Sequence, residues 1–154
     1  MKKFLGFAVM LLLIVGGCKK SESYDFDKQL AKDEELIKKF IADNNIQAQR
    51  DTSGVYYVVS APGAGSVKYS TSTSVTVKYK LRLLNGTEIP QTSEPISFTL
   101  GGVIPGWQIG ITKIQPGGKV RLLIPSGYAY GPNATGNIPA NSVLDFDIEL
   151  LGVN

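Results

Sequence analysis

The chain has no histidine and a single cysteine, Cys18, among its 154 residues. A serine–histidine–aspartate relay therefore lacks its base, a cysteine–histidine zinc site lacks its ligands, and a disulfide within the chain lacks its second half. Charge is also thin, at 19% of residues and a net +3. Once Lys2 and Lys3 are set aside as part of a targeting segment, 14 basic residues face 13 acidic ones. So small a bias gives no electrostatic footprint for nucleic acid. The sequence contains no repeats, no metal-ligand clusters and no phosphate-cradling loop. Neither a metal nor a cofactor is expected. What is present suits one compact domain: 43% of residues are hydrophobic, while 17 glycines and 8 prolines imply many turns.

The N-terminus is a separate unit. Lys2 and Lys3 precede an apolar run over 4–15, then Gly16, Gly17 and Cys18. The run is short against the roughly 20 apolar residues of a spanning helix, so 1–17 reads as a secretory signal peptide, with an uncleaved anchor as the alternative. Val15-Gly16-Gly17-Cys18 resembles the bacterial lipoprotein lipobox. The resemblance implies cleavage before Cys18 and acylation of that residue, with 18–24 as a lipidated tether. The expected product is an exported, membrane-anchored lipoprotein on the periplasmic or cell-surface side.

A helix is expected over 25–45. Phe26, Leu30, Ile37 and Ile41 form an apolar stripe that Leu36 and Phe40 widen. Asp33, Glu34, Lys38 and Lys39 are expected on the opposite, solvated side. The stripe must pack on its own domain or, alternatively, on a second copy as a homodimer contact.

The remainder, 46–154, reads as strands and turns. The segment 74–84 alternates, with Val75, Val77, Tyr79, Leu81 and Leu83 on one face and Thr76, Lys78, Lys80 and Arg82 on the other. Strands are also expected over 55–60 and 96–100. In 119–124 Val120, Leu122 and Ile124 alternate with charge. In 142–151 Leu144, Phe146, Ile148 and Leu150 face in, while Asp145, Asp147 and Glu149 face out. Pro105 opens one short helix over 105–114, carrying Trp107, Ile111 and Ile114 on one side. The fold class is α+β, an antiparallel sheet with one short helix on its apolar face, preceded by the N-terminal amphipathic helix.

The ordered motifs Val103-Ile104-Pro105-Gly106-Trp107, Gly118-Lys119-Val120-Arg121, Tyr128-Ala129-Tyr130-Gly131 and Ile138-Pro139-Ala140-Asn141, followed by the last strand, resemble those of the FKBP-type peptidyl-prolyl isomerases. The resemblance runs from about residue 54 to 153. It implies a sheet wrapped around the short helix, an apolar prolyl pocket, and proline-containing or unfolded polypeptides as substrates. Carried onto matching positions, it makes Trp107 the pocket floor. Tyr79, Ile89, Phe98, Val103, Ile104 and Phe146 become walls, with Ile138 from the loop that follows Tyr130. Tyr130 would offer its hydroxyl, and Ile104 its N–H, to substrate carbonyls. Tyr130, Trp107 and Phe146 are thereby the catalytic candidates. Two features depart from the family. Pro90 stands where an aspartate is common, and Ile96 stands at a wall aromatic. The expected activity is peptidyl-prolyl isomerisation in the folding of exported proteins. A non-catalytic proline-binding or chaperone-like module on the same fold is the alternative, and a spacer presenting loops is a third reading.

Overall fold

The computed structural model describes residues 23–154; the expected signal peptide, Cys18 and most of the expected tether lie outside them. Helix α1 spans Phe26–Asp43, and strands β1 (Gln49–Arg50), β2 (Tyr56–Ala61), β3 (Ser74–Leu83), β4 (Glu88–Ile89) and β5 (Ile96–Thr99) follow. After a 3-10 turn at Leu100–Gly102 come helix α2 (Pro105–Ile111), β6 (Lys119–Ile124), a second 3-10 turn at Ser126–Tyr128, and β7 (Leu144–Val153). The strands form one antiparallel sheet in the order β1-β2-β6-β7-β3-β4, with β5 also paired to β3. Among the described residues, no helix is long and apolar enough to cross a membrane.

The core follows the alternation in the sequence. Val75, Val77 and Leu81 of β3, Val120, Leu122 and Ile124 of β6, and Leu144, Phe146, Ile148 and Leu150 of β7 are all buried. Together with Trp107, Ile111 and Ile114 they enclose α2 against the inner face of the sheet. Two glycines allow that closeness: a Cβ at Gly106 would run into Ile124, and one at Gly110 into Leu122. Helix α2 ends at Ile111 rather than Ile114. Its last N–H groups, from Lys113 and Ile114, bond three residues back, to Gly110 and Ile111, which tightens the helix into a turn. Lys113 then reaches Asp51 at 2.8 Å.

Helix α1 begins at the Asp25 N-cap, whose carboxylate accepts from the Lys28 N–H at 3.1 Å, and ends at Asn44. It docks on the outer face of the sheet. Ile37 is fully buried with Tyr56, Leu123 and Val143, flanked by Phe40, Ile41, Ala48 and Leu84. Glu34 pairs with Arg50 at 2.5 Å.

Two carboxylates expected in solvent are buried instead. Asp145 is 2% exposed because α1 covers its end of the outer face, and the guanidinium groups of Arg82 and Arg121 reach it at 3.1 and 2.8 Å. Asp33 is fully buried and accepts hydrogen bonds from Ser126. Periodicity alone places an acidic residue outward, and in both places buried donors override it.

Candidate functional site

Trp107 lies in the first turn of α2, where Pro105 fixes the helix start and Gly106 brings the backbone onto β6. Three rings from three strands close around the indole. Its centroid is 5.0 Å from Tyr79 of β3, 5.6 Å from Phe98 of β5 and 5.4 Å from Phe146 of β7, each nearly perpendicular to it. Tyr79 also lies 5.9 Å from Phe146 and 6.3 Å from Phe98. Such edge-to-face contacts add about 0.5–1.5 kcal/mol per pair beyond area burial, so the box is rigid.

The structure thus brings three of the expected pocket residues into contact with a fourth, Trp107. Val103 and Ile104 are half-buried against the same core, and Ile89 and Ile138 belong to it. The Gln108 side-chain amide donates to the Val103 carbonyl at 3.0 Å and pins this wall to α2. The Ile104 carbonyl accepts from the Trp107 and Gln108 N–H groups. Its own N–H makes no backbone hydrogen bond among the described residues. Tyr130 is 37% exposed. Burial pushes the Tyr79 hydroxyl above its ordinary range, and the nearby Tyr130 phenol adds to this.

The floor differs from a freely accessible indole. Trp107 is 3% exposed, roofed by its three aromatic neighbours. The reachable apolar surface comes from the half-buried Tyr79, Phe98, Val103 and Ile104. The indole Nε1 has no hydrogen-bond partner among the described residues. An unmatched buried donor costs about 1–3 kcal/mol, a penalty that a purely structural core would avoid.

A cavity of about 870 Å³ lies elsewhere, over the outer face of the sheet. Lys78, Lys80, Lys119, Arg121, Asp147 and Glu149 line it, under the 88–93 segment. It meets the aromatic box only at Tyr79, and of the other expected pocket residues it includes only Ile89. Val58, Leu81, Val120 and Ile148 add apolar surface to it, but the charged groups set among them lack the ring-on-ring enclosure that the aromatic box offers a prolyl ring.

Sequence reasoning missed Gln91. With Pro90 at the aspartate position, Gln91 Oε1 accepts from the Tyr79 hydroxyl at 2.6 Å. The usable signal was that Gln91 is the first side-chain acceptor after Pro90. Glu88 and Glu94, the carboxylates nearest to Pro90 in sequence, do not make this contact.

Residues 65–151 match the family described as FKBP-type peptidyl-prolyl cis-trans isomerase. The chain is 40% identical over 126 residues to FkpA of Escherichia coli K12, covering 80% of this chain and 46% of that protein. It is 42% identical over 100 residues to FK506-binding protein 1 of Saccharomyces cerevisiae, covering 61% of this chain and 88% of that one. The crystal structure of Escherichia coli FkpA superposes with a TM-score of 0.71 at 37% identity, covering 84% of this chain and 62% of the other. The chain spans less than half the length of the FkpA protein it matches in sequence.

Proposed function

The chain belongs to the FKBP-type peptidyl-prolyl cis–trans isomerases, and from that membership we propose that it catalyses rotation about X-Pro bonds in exported polypeptides. The observation that carries the reading is the box of Tyr79, Phe98 and Phe146 around Trp107. Rotation makes and breaks no covalent bond. Its barrier of about 18–20 kcal/mol comes from amide resonance, which places negative charge on oxygen. Water stabilises the planar, charge-separated amide more than the twisted one. An apolar box withdraws that advantage, and each ~1.4 kcal/mol of difference is a tenfold rate. Within this reading Ile104 N–H and the Tyr130 hydroxyl hold flanking carbonyls, and Val103, Ile89 and Ile138 complete the walls. No histidine, cysteine or metal is required.

The exported, lipid-anchored state belongs to the same proposal and rests on the signal-like segment and the lipobox-like Val15-Gly16-Gly17-Cys18. The docking of Ile37 on its own domain favours α1 as an intrachain element over a homodimer contact. The test is catalysis of X-Pro isomerisation in a test peptide by the full chain. Catalysis is expected, with losses of about tenfold or more in Trp107→Ala and Tyr130→Phe.

A second reading, a binder without catalysis, is favoured by one observation: the indole is only 3% exposed. Peptide binding without rate enhancement would establish it.

A further inference from the structure

Asp33 is a charged group that the reaction does not use, yet it is completely buried. One of its oxygens accepts from the Ser126 N–H at 2.7 Å and from the Ser126 hydroxyl at 2.6 Å. The other accepts from the Gln29 amide at 2.7 Å. A buried carboxylate is expensive to keep, and these three donors are what sustain it. Ser126 is itself fully buried and opens the 3-10 turn before the tyrosine loop.

The hydrogen bonds continue from there. The Ser126 carbonyl accepts from the N–H groups of Ala129 at 2.9 Å and Gly131 at 2.8 Å, the residues on either side of Tyr130. The Gly131 carbonyl in turn accepts from the Asn141 N–H at 2.8 Å, closing the loop that carries Ile138. Aromatic contacts run in parallel. Phe26 meets Tyr128 edge-on at 5.6 Å, and it occupies the space a side chain at Gly127 would need.

We propose that Asp33 and Ser126 are positioning residues: through their buried contact, helix α1 fixes the loop that presents Tyr130 and Ile138 to the substrate. The role of the loop rests on the isomerase reading above; the latch itself does not. Releasing the latch should leave the sheet intact and let the loop move. Tyr130 would then meet the substrate less often in its productive geometry, and kcat should fall more than KM rises.

The test uses the full chain with Asp33→Asn, which keeps the side chain's size, and Ser126→Ala, which removes one donor and leaves α1 the other. Amide hydrogen exchange is read at Gly131 and Asn141 and across β3 and β7. X-Pro isomerisation is read in the natural background and with Tyr130→Phe. Exchange at Gly131 and Asn141 should quicken about tenfold with the β7 amides unchanged. The rate should fall about fivefold in the natural background and less than twofold with Tyr130→Phe, since the two changes act on one group. Equal losses in both backgrounds, or unchanged exchange at Gly131, would overturn the proposal. If Asp33→Asn fails to fold, Ser126→Ala decides by the same criteria. If the unmodified chain shows no isomerisation, the isomerase reading fails separately and exchange at Gly131 decides whether the latch exists.

Discussion

Gln91 shows how one side chain can take over a position the chain has lost. Pro90 has no side-chain acceptor and no N–H, and it leaves the Tyr79 hydroxyl to the next residue. The 2.6 Å bond to Gln91 holds the Tyr79 ring against Trp107 through a group that does not titrate. With no histidine in the chain and burial keeping the Tyr79 phenol protonated, kcat/KM should be flat from about pH 5 to 8. Gln91→Ala should lower it by about three- to tenfold. Gln91→Glu should preserve activity across this range, since the new side chain offers the Tyr79 hydroxyl an acceptor oxygen in either protonation state. A pH–rate series on the three proteins checks all of this. Stability has a different pH sensor. The Lys113 ammonium, helped by the Ser53 N–H, holds the Asp51 carboxyl down at about 2. Because the folded value lies below the unfolded one, the stabilisation is present above about pH 4 and is lost as pH falls towards 2. Asp51→Asn should cost about 1–2 kcal/mol at pH 7 and almost nothing near pH 2, measured by urea unfolding at each pH.

At the scale of elements, legibility followed periodicity. Strands β3, β6 and β7 could be read from alternation because each has one face in the core, and α1 could be read from its stripe, although Leu36, counted in that stripe, is exposed. The two-residue strands β1 and β4 were not foreseen, since two residues carry no period. The outward placement of Asp33 and Asp145 failed for a related reason: a pattern sees one element, while burial depends on what a second element lays over it. The aromatic box became legible only through several motifs in fixed order, as Trp107, Phe98 and Phe146 singly are ordinary core residues. The close contact of α2 with the sheet leads to a prediction of its own. In Gly110→Ala the added methyl meets Leu122, and overpacking of this kind costs about 1–3 kcal/mol against the ~1 kcal/mol that alanine returns in helix propensity. A lower midpoint in thermal unfolding is expected, along with a shifted Trp107 fluorescence maximum. Gly102→Ala, with open space around its Cβ, should change neither.

For the whole molecule, the placement of α1 brings the proposed anchor close to the candidate site. Tyr24, just before the helix, puts its hydroxyl 3.9 Å from where a Cβ on Gly131 would stand, and a cavity of about 460 Å³ lies between Tyr24, Asp25, Lys28, Pro132 and Asn141. The tyrosine loop is therefore next to the point where the tether enters the domain. Five residues lie between Cys18 and Tyr24, and even fully extended the stretch from one to the other spans only about 20 Å. With the lipid anchor proposed at Cys18, the loop is confined to a thin layer above the membrane. Confinement raises the local concentration of any substrate emerging from the same surface and does nothing for one in bulk solution. Inserting about 20 glycine and serine residues after Cys18 adds roughly 25 Å of flexible reach and dilutes that advantage. The rate on an X-Pro peptide anchored to the same vesicles should then fall several-fold, while the rate on a free peptide stays constant. Cys18→Ser should abolish acyl labelling and the anchored-substrate advantage together. An insertion that leaves both rates untouched would mean that the short tether attaches the domain without directing it.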